Sequence, residues 1–267
     1  MNTNSEQFVR QQYGNSSNLD IRIRIHEMYS TTDKDWHEWV FEQMDFAPDS
    51  RMIEFGCGSG DLWIKNAAKR MPKWNVTLTD NSAGMLAKAE QTIGNHPQFT
   101  YKLMDIQAVE YEDNTFDAAI ANHMLYHVPN LDQALSELSR IVKPGGTLYA
   151  STIGLKHMNE IYEFAAEFDS SLSFTKPLNS KHFGLENGME KLQTYFGQVE
   201  LLRFESDLHI TDVHHLADYM FTINSNLKET LLQKEALNSF IEFLESKKTA
   251  EGYVRISKDS GLFVCTK

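Results

Sequence analysis

The sequence predicts an α/β protein built on a largely parallel sheet. Three observations carry that expectation. Strand-like and helix-like runs alternate from residue 51 to 153, the pattern of strands joined by crossover helices. A glycine-rich turn, Glu54-Phe55-Gly56-Cys57-Gly58-Ser59-Gly60, directly follows the apolar pair Met52-Ile53. An acid, Asp80, closes the next strand-like run, Val76-Thr77-Leu78-Thr79.

Two helices are expected first, over 19–29 and 33–45, ahead of a strand at 51–55. The glycine turn opens a helix placed over 61–71, followed by a strand at 75–79 and a helix over 83–93. Ser82 suits the N-cap of that helix, because its hydroxyl can accept from a free backbone N–H. Strands are placed near 98–103 and 116–121. Between Asp132 and Val142, apolar residues at 134, 135, 138, 141 and 142 recur at the helical period, which sets a helix over 130–142. Pro144-Gly145-Gly146 stops it and turns the chain into a strand at 146–153. Residues 154–196 read as helical around a polar loop at 175–182, and Gln198 to Glu205 as a strand. Residues 211–248 are helical again, and Tyr253 to Thr266 read as the last strand.

At 267 residues the chain has room for one elaborated domain, or a domain with a cap. Its formal charge is −12, and no basic run exceeds the two residues of Lys247-Lys248. A nucleic-acid-binding face usually shows as a basic patch, so nucleic acid is disfavoured as a partner. No apolar window is long enough for a membrane span, and Met1 to Glu6 lack a signal-peptide layout. Cys57 and Cys265 form no C-x-x-C pair, so no zinc or iron–sulfur site is indicated. A reducing cytoplasm is the expected location.

The glycine turn carries chemistry. Without a Cβ, glycine lets the backbone pass close to a ligand and adopt positive φ. A carboxylate at the end of the second strand can take both hydroxyls of a ribose. The pattern therefore points to a nucleoside-containing cofactor. In the dinucleotide fingerprint G-x-G-x-x-G the cofactor pyrophosphate rests on the helix N-terminus. Here the glycines are Gly56, Gly58 and Gly60, and Asp61 occupies the third fingerprint position. An aspartate there would repel a pyrophosphate, and Glu54 adds more negative charge. Both acids suit a cofactor with no phosphate and a cationic end. S-adenosylmethionine, with its sulfonium and amino group, has that character.

Residues 51 to about 153 resemble the core of the class I S-adenosylmethionine-dependent methyltransferases. Glu54 to Gly60 resemble that family's motif I. Asp80, followed by Asn81-Ser82-Ala83-Gly84-Met85-Leu86, resembles the ribose-binding acid of motif II. Met104-Asp105-Ile106 resembles motif III, where the acid meets the adenine amino group, and Phe116 to Asn122 resembles motif IV. Val142 to Leu148 resembles the loop and fifth strand that follow. The resemblance implies a Rossmann-like, seven-stranded, mostly parallel sheet with helices on both faces and a helical cap over the cleft. It implies three regions: an N-terminal helical lid at 1–47, a cofactor-binding core at 48–153, and cap helices with the last sheet strands at 154–267.

The expected cofactor is S-adenosylmethionine, with S-adenosylhomocysteine as product. Its expected contacts are Glu54, Gly56, Gly58, Gly60, Asp80, Asn81, Met85, Asp105, Ile106 and Asn122, with Tyr13 and Arg22 from the lid. Tyr13 resembles the lid tyrosine of some small-molecule members. Arg22, His26 and Tyr29 stand at i, i+4 and i+7 and share one helix face, which suits either closure over the methionine end or a half-solvated helix. His123 and His127, just past the fourth strand, are the candidate catalytic bases. Each has a structural alternative, and His127 resembles a histidine that many members share whatever their substrate.

No metal is expected: Asn122 stands where catechol-type members carry a Mg²⁺-binding acid, and hard divalent ions prefer carboxylates. Motif IV also lacks the Pro-Pro of the amino methyltransferases. The activity implied is methyl transfer to O, N or C of a small-molecule metabolite by in-line displacement, with a homodimer left open. The alternatives are an RNA or protein methyltransferase, or a non-catalytic S-adenosylmethionine-binding regulator.

Overall fold

Seven strands hydrogen-bond into one sheet: β1 (Arg51–Phe55), β2 (Asn75–Asp80), β3 (Phe99–Leu103), β4 (Phe116–Asn122), β5 (Val142–Ile153), β6 (Gln198–Phe204) and β9 (Ser260–Thr266). Their order across the sheet is β3-β2-β1-β4-β5-β9-β6. The five strands from β3 to β5 pair in parallel, and β9 runs antiparallel to both β5 and β6. These are the contacts of a computed structural model that describes residues 16–172, 174, 176 and 179–267. Met52, Ile53 and Phe55 of β1 and Ala118 to Ala121 of β4 are buried throughout. A parallel sheet covered on both faces needs such unbroken apolar runs.

Helices cover both faces. α1 (Ser16–Tyr29), α2 (Trp36–Glu42), α3 (Asp61–Lys65), α4 (Ala83–Ile93) and α5 (Leu131–Ile141) come before β5. On one face, Leu131, Leu135, Leu138 and Ile141 of α5 pack with Phe55, Ala121 and Leu148. On the other, Val40, Phe41, Trp63 and Ala89 pack with Met52, Leu78 and Ile120. The caps follow side-chain chemistry. Asp35 Oδ1 accepts from the His37 N–H at 2.8 Å, Ser82 Oγ from the Met85 N–H at 3.4 Å, and Asn130 Oδ1 from the Gln133 N–H at 3.2 Å.

After β5 come α6 (Asn159–Phe168), α7 (Asn179–His182), α8 (Gly188–Gln193), β6 and β7 (Asp207–Ile210). Then come α9 (Val213–Ile223), α10 (Ser225–Gln233), α11 (Leu237–Glu245), β8 (Val254–Ser257) and β9. β7 and β8 pair antiparallel in a small sheet of their own. With α1, α6 and α9 to α11 they enclose a second apolar core containing Ile25, Ile161, Leu216, Met220, Phe240 and Ile256.

Several boundaries differ from the sequence expectation. The helix expected over 61–71 ends at Lys65, where Asn66 turns its side-chain amide onto the carbonyls of Leu62 (2.9 Å) and His37 (3.1 Å). The strand expected from Tyr253 to Thr266 is two strands with different partners, divided at Lys258-Asp259. The helical stretch 211–248 is three helices, broken at Asn224, which caps Asn226 N–H at 3.1 Å, and at Glu235, whose φ is +53°. Among the described residues, the stretch 154–196 holds three short helices, and the polar loop expected at 175–182 includes α7. β7 had no recognisable signal. Among the described residues, no helix is long and apolar enough to cross a membrane.

Candidate active site

The glycine turn lies at the carboxyl ends of the parallel strands, where open α/β sheets bind ligands. Gly56, Gly58 and Gly60 all have positive φ, at +64°, +56° and +83°. A Cβ at Gly56 would fall 2.9 Å from Met124 Cβ, and one at Gly60 would fall 2.6 Å from Ile93 Cδ1. A Cβ at Gly58 would meet nothing within 4 Å. The outer glycines are therefore packed against protein, while the middle one leaves a bare stretch of backbone facing open space.

Asp80 is tied to that bare stretch. Its Oδ2 accepts from the Gly58 N–H at 3.0 Å and its Oδ1 from the Ser82 N–H at 2.8 Å. Burial pushes its carboxyl pKa up, and the amides of Ser82, Gly58 and Asn81 oppose the shift. Each oxygen keeps a second lone pair, enough for two ribose hydroxyls. Glu54 lies beneath the loop and is buried. Its Oε2 accepts from Trp63 Nε1 at 2.6 Å. Burial pushes its pKa up to about 7; the hydrogen bonds from Trp63 and Asn122 oppose this, and the charges of Asp80 and Asp61 add to it. Asp61 itself accepts from Ser59 Oγ at 2.5 Å. Three clustered carboxyl groups that form no ion pair among the described residues favour a cationic ligand, so this donor set fits S-adenosylmethionine. Trp63, buried against the sheet, holds Glu54 in place.

The other expected contacts divide. Asn81 is exposed beside Asp80, and Met85 is half-buried in the first turn of α4. Asp105 is exposed, and its carboxylate accepts from the Gln107 N–H at 2.9 Å in a local turn. The Ile106 side chain belongs to the apolar core. Asn122 hydrogen-bonds Glu54 and leaves its own Oδ1 without a partner. Arg22 lies elsewhere than expected: Nε donates to Thr222 Oγ1 at 3.0 Å and Nη2 to the Thr222 carbonyl at 2.6 Å. Its neighbours on the same face follow suit, His26 edge-on to Tyr219 at 6.1 Å and Tyr29 OH on His215 Nδ1 at 2.7 Å. The polar stripe of α1 is thus a seam against α9. Tyr13 lies outside the described residues.

His123 follows β4 directly and has φ +49°. Left-handed backbone is strained for a histidine and recurs at functional sites. The Ser151 carbonyl (3.2 Å) and hydroxyl (3.0 Å) hold its amide. Its ring lies 4.8 Å from Trp36. Burial lowers its pKa to about 3, reinforced by His37, Lys258 and His127. Burial likewise lowers His127 to about 4. Burial holds both imidazoles neutral at pH 7.

Sequence reasoning passed over three further residues that surround His123. Trp36 sits on its ring, and His157 and Lys258 act on it or on each other through space. Their positions in chain segments far from the glycine turn hid them. A recessed space of about 310 Å³ beside Asp45, Ser50 and Lys143 flanks the amino ends of the strands.

Residues 53–150 match the family model for a methyltransferase domain. Over 145 residues the chain is 30% identical to demethylmenaquinone methyltransferase of Symbiobacterium thermophilum, covering 53% of this chain and 57% of that protein. The chain spans about half the length of the curated relatives it matches. A putative methyltransferase from Bacillus halodurans superposes with a TM-score of 0.57 at 15% identity, covering 87% of this chain and 98% of that one. Phosphoethanolamine N-methyltransferase 2 of Haemonchus contortus, solved with S-adenosyl-L-methionine, gives 0.57 at 18% identity, over 98% of this chain and 59% of its own. Residues 53–150 thus form a domain similar to those of the class I S-adenosylmethionine-dependent methyltransferases.

Proposed function

We propose that the protein transfers a methyl group from S-adenosylmethionine to O, N or C of a small-molecule acceptor by in-line displacement. The observation that carries the proposal is the Asp80 carboxylate bonded to the Gly58 amide at 3.0 Å, beside a glycine face that is open to a ligand. Asp80 and Asn81 hold the ribose. Glu54, Asp61 and Asn122 meet the cationic methionine end, and Asp105 the adenine edge. The bound cofactor supplies an activated methyl on a sulfonium leaving group. The chain then has to align the nucleophile with that methyl; such positioning lowers a barrier by roughly 7–11 kcal/mol. His123, neutral and next to the glycine turn, accepts the proton that an O–H or N–H acceptor loses; His127 supports it from the following turn. The helices at 16–42 and after β5 act as lid and cap, and exclude water from the reacting pair.

Three facts support a small acceptor. The net charge is −12. Trp36, Phe204 and Tyr219 supply aromatic surface beside the histidines. Relatives include proteins named demethylmenaquinone methyltransferase and sterol 4-C-methyltransferase. The test is transfer from labelled S-adenosylmethionine into host extract, separated into metabolites and macromolecules. Label in a metabolite is the expected result. Label only in RNA or protein would overturn the small-molecule reading.

A further inference from the structure

Beyond the cofactor groups, four half-buried nitrogen-bearing side chains from four separate segments converge between core and cap: His26 of α1, His123 after β4, His157 before α6, and Lys258 in the turn between β8 and β9. A chain of contacts links them. His123 lies on Trp36, and Trp36 meets Phe204 at 5.3 Å. Lys258 Nζ stands 5.4 Å from the Phe204 ring. The neighbouring Asp259 N–H donates to His157 Nδ1 at 3.1 Å. Next to His157, Met158 accepts from the Tyr219 hydroxyl at 3.1 Å, and Tyr219 meets His26.

The polar atoms of this circuit lack acidic partners. Lys258 Nζ has a hydroxyl, Ser206 Oγ, at 3.4 Å, and among the described residues no carboxylate lies within ion-pair distance of it. The nearby acids are committed elsewhere: Asp207 to Arg255 at 2.6 Å, Asp35 to Lys65 at 2.5 Å and Asp259 to Arg203 at 2.5 Å. His26 Nδ1 is buried without a hydrogen-bond partner. Because His157 Nδ1 accepts a backbone N–H, its neutral ring carries its proton on Nε2 and presents a donor there. Met158, next to His157, has φ +50°, a second strained residue beside this cluster. Among the described residues, no three of the His, Cys, Asp and Glu side chains are arranged to hold a metal ion.

We infer that the methyl acceptor is anionic, with a carboxylate or phosphate group held by the Lys258 ammonium and the His157 and His26 imidazoles, and an apolar body against Trp36, Phe204 and Tyr219. Burial pushes the Lys258 ammonium toward deprotonation and Asp207 and Asp35 pull it back; an anion at Nζ would add to that pull. In a chain of charge −12, a local cation with no acidic partner is what draws in an anion. This inference rests on the small-molecule reading above.

The test is calorimetry on the full chain saturated with S-adenosylhomocysteine, with inorganic phosphate, phenyl phosphate, phenylacetate and neutral benzyl alcohol as probes. The expected result is that phenyl phosphate or phenylacetate binds at least tenfold more tightly than benzyl alcohol. Which of the two binds assigns the head group. Lys258→Gln should weaken that binding at least tenfold, Lys258→Arg should largely restore it, and S-adenosylhomocysteine affinity should stay unchanged in both. Binding of neither aromatic anion, or anion binding indifferent to Lys258→Gln, would overturn the inference and leave the cofactor assignment intact. Failure of the wild type to bind S-adenosylhomocysteine would instead overturn the reading on which it rests.

Discussion

At the scale of single residues the site depends on a few polar groups placed where glycine leaves room. Asp80→Ala should weaken S-adenosylmethionine binding more than tenfold, because two ribose hydroxyls lose a charged partner worth about 1.5–3 kcal/mol per bond. Calorimetry on the folded variant checks this, and unchanged affinity would sink the assignment. Glu54 makes a second prediction, whose sign follows from its pKa of about 7. A cation beside it favours the ionised form, so binding releases the proton that Glu54 carries below pH 7. Cofactor affinity should rise from pH 6 to pH 8 and then level off, with proton release seen by calorimetry in buffers of different ionisation heat; Glu54→Gln should flatten the profile. His123 yields a third. Its φ of +49° costs any L-residue about 1–2 kcal/mol that glycine avoids. His123→Gly should therefore unfold at higher urea than His123→Ala, reversing the usual order, while both lose turnover and keep cofactor affinity. The placement of Asp80 and the positive-φ glycines at the strand ends was legible in the sequence because it follows from local backbone chemistry. His157 and Lys258 were not, because nothing local marks a side chain that matters only through neighbours in other segments.

At the scale of elements, the sequence located helices and strands well wherever the apolar period was undisturbed, as over 83–93 and 51–55. It failed where a side chain competes with the backbone, as at Asn66, or where one extended run serves two sheets, as at Lys258-Asp259. The stripe Arg22, His26 and Tyr29 was visible as a helix face, but the sequence could not show that α9 covers it. Arg22→Ala should cost about 1–2 kcal/mol by urea unfolding, toward the lower end for a charged hydrogen bond at a half-exposed position. Gly146, at the bulge where β5 leaves α5, has no room for a side chain: a Cβ would sit 2.7 Å from the Asp117 carbonyl oxygen. Gly146→Ala should therefore lose about 1–3 kcal/mol by thermal unfolding, as overpacking does.

At the scale of the whole molecule, two packed sheet faces and a separate apolar core of the outer helices meet around the cluster of histidines and aromatic rings. Cores that share few residues open separately, so amides of β1, β4 and β5 should exchange more slowly than those of α9 to α11 in native-state hydrogen exchange. Cofactor at a hundredfold excess over Kd should add about 2.7 kcal/mol to global stability and protect the Gly58 and Ser82 amides most. The sequence by itself determined the parallel sheet, the glycine turn and the acid at the end of β2, because alternating apolar runs, positive-φ glycines and strand-end carboxylates are local requirements. Only the tertiary structure decided that α1 pairs with α9, that the last strand divides, and that His26, His123, His157 and Lys258 stand together. Those outcomes depend on which surfaces bury one another across as many as 232 positions of chain, from His26 to Lys258, and burial energy depends on area removed from water whatever the sequence separation.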